Sequence, residues 1–122
     1  MSSTIAQWTL DVHDVAAMAR FWSEVLGYRV EERPDGSAML YPRQGDGAAE
    51  LPVWLQPTEH PKRDKNRNHP DLRSRDGDVD AEVDRVVGLG ARRIDVGQSP
   101  DDPFVVLADP EGNEFCILRG TP

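Results

Sequence analysis

The stretch V-L-A-D-P-E-G-N-E-F-C-I-L, from Val106 to Leu118, shows most directly how this chain folds. Two apolar runs flank Asp109–Gly112, and the proline and glycine of that segment are typical of a tight turn. In the second run, Phe115 and Ile117 alternate with Glu114 and Cys116, which places the two large apolar side chains on one face. The stretch therefore predicts a β-hairpin in a sheet that buries one face.

Outward from this hairpin, the same order of elements, a strand followed by a helix and further strands, occurs twice. The first copy is predicted to contain the strands Ile5–Val12, Tyr28–Arg33, Ser37–Tyr41 and Glu50–Gln56, with a helix between Asp14 and Gly27. The second is predicted to contain the strands His69–Ser74, Arg92–Val96, Phe104–Leu107 and Glu114–Leu118, with a helix between Asp78 and Gly90. Asp14 lies seven residues after Gln7, as Asp76 does after His69. The repetition favours a duplicated unit.

A proline-containing basic segment separates the two copies. We predict a single domain over residues 1–122, with a first module at about 5–56, a linker at about 57–66 and a second module at about 67–118. The basic residues of this segment predict either a solvated loop or an anion-attracting rim beside a ligand site: Lys62, Arg63, Lys65 and Arg67. Pro52, inside the fourth strand, predicts an edge position or a bulge.

The charge balance argues against two classes of partner. Lys and Arg number 14 against 22 Asp and Glu, for a net charge of −8, whereas nucleic acids and anionic membranes attract basic surfaces. No run approaches the ~20 apolar residues that span a bilayer, and the amino terminus lacks the pattern of a secretory signal. Cys116 is the single cysteine, which excludes an intramolecular disulfide. These features predict a cytoplasmic protein without nucleic-acid or membrane partners.

Three motifs carry a resemblance to a known family. The pattern D-V-x-D…F-W-x-x-V-L-G-Y (Asp11–Tyr28) and the Val106–Leu118 stretch resemble the glyoxalase / bleomycin-resistance family of the vicinal oxygen chelate (VOC) superfamily. The stretch K-N-R-N-H-P-D-L-R (Lys65–Arg73) resembles a glyoxalase-like subgroup. The resemblance implies an α+β fold of two tandem βαβββ modules, whose curved mixed sheets surround a cleft. It implies no particular reaction, because one fold supports many functions.

The resemblance also implies four metal-ligand positions, one at each first and last strand of a module. By position these are Gln7, Gln56, His69 and Cys116. The family's centres use His and Glu, sometimes with one Gln, whereas this chain offers two weakly binding amides, one imidazole and one thiol. We therefore expect neither a metal nor another cofactor. The alternatives are a hydrogen-bonded histidine at position 69 and a small buried hydrophobe at Cys116.

Strand alternation assigns one set of mostly polar side chains to the face opposite the helices. The predicted ligand-binding residues on this face are Gln7, Thr9, Asp11, Trp54, Gln56, His69, Asp71, Arg73 and Cys116. A solvent-washed sheet face is the alternative. Asp11 and Arg73 occupy equivalent positions in the two copies, which predicts an ion pair near the internal two-fold. Alternatively, Arg73 binds a ligand carboxylate or phosphate.

These features favour a protein that holds a small molecule in the cleft and lacks the family's metal centre. An alternative is a VOC-type lyase, isomerase or dioxygenase, dependent on a metal or using His69 as general base with Asp71 or Arg73 nearby. A further alternative is a structural or regulatory module with a vestigial cleft. Exposed sheet edges predict a homodimer. The residues identify no particular ligand.

Overall fold

The computed structural model describes residues 1–43 and 50–120, and its elements follow the predicted order. The first half contains β1 (Trp8–Val12), α1 (Val15–Leu26), β2 (Arg29–Glu32), β3 (Ala38–Tyr41) and β4 (Val53–Pro57). The second contains β5 (Asp71–Leu72), α2 (Val79–Leu89), β6 (Arg92–Arg93), β7 (Phe104–Ala108) and β8 (Glu114–Leu118). The segment 42–49 between the predicted strands Ser37–Tyr41 and Glu50–Gln56 lies mostly outside the described residues.

The chain divides into two compact units, Met1–Pro61 and Lys62–Pro122, and the boundary falls inside the predicted linker. The first unit has a four-stranded sheet in the order β1-β4-β3-β2, and the second has one in the order β5-β8-β7-β6. In each sheet one outer pair is parallel, β1 with β4 and β5 with β8, and the other pairs are antiparallel. The predicted α+β class with mixed sheets is therefore confirmed.

Both helices begin at the predicted aspartates. The Asp14 carboxylate accepts a hydrogen bond from the Ala17 N–H at 3.0 Å, and Asp78 accepts one from Ala81 at 3.0 Å. Each bond satisfies one amide that the first helical turn leaves without a partner. Helix α1 ends at Gly27, whose φ of 70° lies in the left-handed region that glycine adopts without strain.

In the first unit, α1 packs on β3 and β4 and buries an aromatic cluster. Trp22 is 1% exposed, and its ring meets Trp8 and Phe21 edge-on, each at a centroid distance of 5.2 Å. Leu40 and Leu55 lie beneath the helix and are fully buried. Alternate residues of a strand face opposite sides of the sheet. The strand residues between the helix-facing ones therefore lie on the face turned away from α1.

In the second unit, α2 packs on β8 through Val83 and Val86. Phe115 and Ile117 are fully buried on the helix-facing side of the sheet, as their alternation predicts. The sequence places Val79, Val83, Val86 and Val87 at helical spacing, which predicts one apolar stripe, but Val87 is 40% exposed. The apolar stripe of α2 is therefore narrower than the sequence suggested.

Several strand predictions were wrong in extent or position. Strands β1 and β4 begin at Trp8 and Val53, each three residues later than predicted. The second module's first strand shrinks to Asp71–Leu72, and on its amino-terminal side Pro70 has no N–H to donate. The strand Arg92–Val96 ends at Arg93, where the Gln98 side chain hydrogen-bonds to the backbone at positions 94 and 96 instead. Strand β4 lies inside its sheet, not at an edge, since Pro52 precedes it and offers only its carbonyl to the Trp8 N–H.

Candidate functional site

The predicted site residues of the first unit lie on the sheet face turned away from α1. Register pairs Thr9 with Trp54 and Asp11 with Gln56 across β1 and β4. Gln7 lies just before β1, and its side-chain amide donates to the Thr9 hydroxyl at 3.3 Å. Apart from Trp54, which is partly buried, these side chains are exposed.

The Trp54 indole has an unusual environment for a buried donor. Its Nε1 is buried and finds no hydrogen-bond acceptor among residues 1–43 and 50–120. An unsatisfied buried donor costs about 1–3 kcal/mol.

Three predicted residues of the second unit come together: His69, Asp71 and Cys116. Their potential ligand atoms all lie within 4.8 Å of one another. Asp71 and Cys116 are register partners on the parallel strands β5 and β8, so their side chains share one face. His69 precedes β5, and its Nδ1 lies 3.7 Å from the Asp71 Oδ1. This separation is too long for a hydrogen bond and allows only an electrostatic contact.

The Cys116 side chain is buried, with 7% of the residue exposed. Burial, together with the charge and hydrogen bond of Asp71, raises the pKa of the Cys116 thiol to about 11, although the charge of Lys65 acts in the opposite direction. The thiol is therefore protonated at neutral pH and is not a nucleophile by itself. Arg73 lies beyond β5 and is exposed, and its pairing with Asp11 of the other unit stays a prediction.

A pocket of about 350 Å³ opens beside this cluster, and all of its walls belong to the second unit. Its apolar wall includes Phe104 and Val106 of β7, whereas His69 and Cys116 contribute polar atoms. The full lining comprises Lys65, His69, Val96, Gly97, Gln98, Asp102, Phe104, Val106, Glu114 and Cys116. The volume lies within the range of small-molecule sites, which combine apolar walls with a few polar groups.

Strand pairing explains why these pocket residues meet. Register places Phe104 beside Leu118 and Val106 beside Cys116, so that all four side chains lie on the face opposite α2. Another part of the lining is a loop that contains Gln98, whose side chain accepts from the Val96 N–H and donates to the Ile94 carbonyl, both at 2.8 Å. Strand residues and a hydrogen-bonded loop therefore both line the pocket.

Glu114 attaches the basic segment to the edge of this pocket. It is 7% exposed, pairs with the Lys62 ammonium at 2.9 Å and accepts from the Asn66 N–H at 3.0 Å. Burial by itself raises the pKa of Glu114, but the Asn66 N–H and the Lys62 charge outweigh burial and hold the pKa below its usual range. The prediction of a solvated basic loop was therefore wrong for Lys62, whose charge neutralises a buried carboxylate.

We expect Lys62→Met to lower the free energy of unfolding by about 1–3 kcal/mol, because it leaves the buried Glu114 carboxylate without its cation. Urea denaturation followed by circular dichroism measures this change. The matched control is Lys65→Met, since Lys65 has no ion-pair partner among the described residues, and a loss within about 0.5 kcal/mol is expected. Equal losses in the two variants would contradict the role assigned to the ion pair.

Comparison with known proteins identifies the family. The family model for the glyoxalase-like domain matches residues 7–118, which include both units' sheets and helices. This chain is a member of the glyoxalase-like domain family. The resemblance suggested by the sequence motifs is therefore confirmed. No match was found among curated protein sequences.

Solved structures share the fold of this glyoxalase-like domain at low sequence identity. The fosfomycin resistance protein FosX from Mesorhizobium loti is 22% identical, with a TM-score of 0.72 over 99% of this chain and 94% of that chain. A mutant FosX from Listeria monocytogenes, in complex with Mn(II) and 1S,2S-dihydroxypropylphosphonic acid, is 16% identical, with a TM-score of 0.75 over 99% and 93%. A glyoxalase/bleomycin resistance protein/dioxygenase family enzyme from Burkholderia phytofirmans is 19% identical, with a TM-score of 0.70 over 92% and 94%.

One FosX relative contains Mn(II), so the donor atoms of this glyoxalase-like domain can be tested for their fit to a divalent metal ion. Its second unit offers an imidazole, a carboxylate and a thiol close together, and three such donors fit a divalent ion with an open coordination position. A bound divalent ion would supply Lewis acidity toward an oxygen of the bound molecule. Gln7 and Gln56 lie in the other unit. The expected lack of a metal centre at the four family positions therefore stays a prediction.

Sequence reasoning missed several pocket residues of the glyoxalase-like domain. Phe104 and Val106 could have been found, because the alternation that placed Cys116 on this face extends across the hairpin to β7. The Val96–Gln98 loop carried no comparable signal. Within the part of the chain that the structure describes, neither helix has the length and apolar character needed to cross a membrane.

Proposed function

We propose that this glyoxalase-like domain binds a small organic molecule in the pocket of its second unit, and that binding needs no metal at the four family positions. The observation that supports the proposal is the pocket itself, which joins an apolar wall to Lys65 and His69. Such a combination binds an apolar body and orients it through a few polar contacts.

The charges of the pocket suggest the class of ligand. Lys62 neutralises Glu114, and the Asp102 carboxylate accepts from the Ser99 N–H at 2.7 Å. Lys65 has no ion-pair partner among the described residues and is available to an anion. Phe104 offers an aromatic face for an apolar or aromatic group. We therefore propose a small phosphonate or carboxylate with an apolar portion, a class that includes the phosphonic acid bound by the FosX relative.

Three probes test the proposal on chelator-treated protein: fosfomycin, dihydroxypropylphosphonic acid and benzoate. A probe present at about 100 times its Kd is expected to stabilise the fold by about 2.7 kcal/mol, which a thermal-shift assay detects. Titration calorimetry then gives the Kd. We expect Phe104→Ala to weaken binding by about tenfold or more, because it removes an apolar contact worth about 1.5–3 kcal/mol.

The control for this substitution is Val87→Ala, because Val87 is exposed on α2 and is not part of the pocket. Its affinity for the probes is expected to equal that of the wild type. The proposal fails if none of the three probes binds, or if Phe104→Ala binds them as the wild type does.

The enzyme alternative is favoured by the Asp71 carboxylate near the His69 imidazole, because a carboxylate stabilises a histidine that takes up a proton. The same titrations decide between the two functions when the mixtures are analysed for products. Turnover that is lost in His69→Gln and retained in His60→Gln, an exposed loop residue, would favour an enzyme. Binding without product favours a binding protein. The expected homodimer and cytoplasmic location likewise stay proposals.

A further inference from the structure

Residues 62–66 form a short arc without helix or strand, and both of its ends contact the same carboxylate. At one end the Lys62 ammonium lies 2.9 Å from the Glu114 Oε1. At the other end the Asn66 N–H donates to the Glu114 Oε2 at 3.0 Å, and the Asn66 side-chain amide donates to the Asn113 Oδ1 at 3.1 Å. Two neighbouring residues of the β7–β8 hairpin therefore close the arc.

The two residues that hold the arc are themselves held in place. Glu114 is the first residue of β8, pairs in register with Ala108 of β7 and is 7% exposed. Asn113 is 9% exposed, and its side-chain amide donates to the Asp109 carboxylate at 3.0 and 3.2 Å. Groups on regular strands and in buried hydrogen-bond networks are more rigid than loop side chains. The hairpin therefore gives the arc a fixed support.

Lys65 belongs to this arc and lines the pocket, one residue before the attached Asn66. Its charge acts on the Cys116 thiol, which also lines the pocket, and it opposes the effect of burial on the pKa of that thiol. The lysine has no ion-pair partner in the part of the chain that the structure describes. Because a lysine side chain is long and flexible, the place of its charge depends on where its backbone is held.

Attachment of the arc before a ligand arrives favours the binding of an anion. In a free arc the backbone around Lys65 would lose conformational entropy only when the ligand bound, and that loss would lower the affinity. In the attached arc this ordering occurs on folding, so an anion gains the attraction of a cation already in position. A neutral ligand of the same shape gains no such attraction.

We propose that Glu114 is a positioning residue, which holds Lys65 at the pocket by closing the arc at both ends and thereby makes the site selective for anions. This inference rests on the proposed function, because it concerns the same pocket and the same class of ligand. It adds that selectivity depends on the attachment of the arc as well as on the presence of the lysine.

The test compares the affinity for benzoate with that for benzamide, its neutral isostere, by titration calorimetry on the chelator-treated full chain. We expect the wild type to prefer benzoate by about tenfold and Lys65→Met to lose this preference, because the substitution removes the cation. Glu114→Gln is expected to lower the preference by about threefold or more, since its amide nitrogen is a donor and cannot accept from one end of the arc.

The Glu114→Gln result separates positioning from simple electrostatics by its sign. The substitution removes a negative charge from the pocket and leaves the Lys62 ammonium without its carboxylate. Electrostatics alone therefore predicts tighter binding of benzoate, whereas loss of the attachment predicts weaker binding.

Asn66→Ala repeats the test without a change of charge. It removes the bond to Asn113, and we expect the preference for benzoate to fall by about threefold while the affinity for benzamide stays unchanged. The matched control is Arg63→Met, which removes an exposed cation of the same arc that does not line the pocket. This variant is expected to bind both probes as the wild type does.

Three results would overturn the positioning role: an unchanged or larger preference in Glu114→Gln, an equal loss of both probes in Asn66→Ala, and a loss in Arg63→Met as large as that in Lys65→Met. Failure of the wild type to prefer benzoate would overturn it as well. Failure of every probe, including fosfomycin and dihydroxypropylphosphonic acid, would in addition remove the proposed function. Far-ultraviolet circular dichroism and retained benzamide binding verify that each variant is folded.

Discussion

Replacing Phe115 by alanine is expected to lower the free energy of unfolding by about 3–5 kcal/mol. Phe115 is fully buried between β8 and α2, so the substitution removes a large apolar surface and leaves a cavity that the packed strands cannot fill. The expected loss is a large share of the roughly 5–15 kcal/mol that stabilises a typical domain. Urea denaturation monitored by circular dichroism measures it.

The matched control is Phe104→Ala. Phe104 lies in the neighbouring strand β7 but lines the pocket and is only partly buried, so its removal leaves no closed cavity. We expect a clearly smaller loss of stability, accompanied by weaker binding of the small-molecule probes. If the two variants lost equal stability, the division of this sheet into a core face and a pocket face would be wrong.

The Asp109→Ala variant is expected to lose about 3 kcal/mol or more, because Asp109 organises the hairpin turn from a buried position. Its carboxylate accepts from the Glu111 N–H and the Asn113 N–H, both at 2.9 Å. It also accepts from the Asn113 side-chain amide at 3.0 and 3.2 Å. Alanine would leave these N–H groups without a hydrogen-bond acceptor, and nothing would offset the free-energy cost of removing them from water.

Asp35→Ala is the matched control for the turn. Asp35 also accepts from the backbone and the side chain of one nearby residue, Ser37, but Asp35 itself is exposed, whereas Asp109 is 1% exposed. Its loss is expected to be clearly smaller than that of Asp109→Ala. A comparable loss in both variants would show that burial does not determine the role of Asp109. Both are measured by urea denaturation.

The turn and the core also determine where the site residues lie. Phe115 stands between Glu114 and Cys116 on β8, so a shift of this strand moves both pocket residues at once. The turn sets the register of β8 with β7, in which Val106 pairs with Cys116. Gly112 allows this turn, since its φ of 89° would strain any other residue.

Short-range features of the sequence were sufficient to predict most of the elements. Helix caps at Asp14 and Asp78 and the turn after β7 depend on contacts within four residues, and all three are as expected. Alternation in β8 likewise identified Phe115 and Ile117 as core residues. These features follow from backbone geometry and local hydrogen bonding, which the neighbouring residues alone control.

The composition of the candidate site depended on contacts between residues far apart in the chain. Nothing local indicates that Glu114 binds Lys62, or that Asp71 lies opposite Cys116. Both contacts arise because β5 adds to the edge of β8 in parallel, a pairing that joins distant segments and sets the register between them. By itself the sequence determined the repeated elements, the family and the core face. The tertiary structure alone decided which donors meet, because strand register is a property of the assembled sheet.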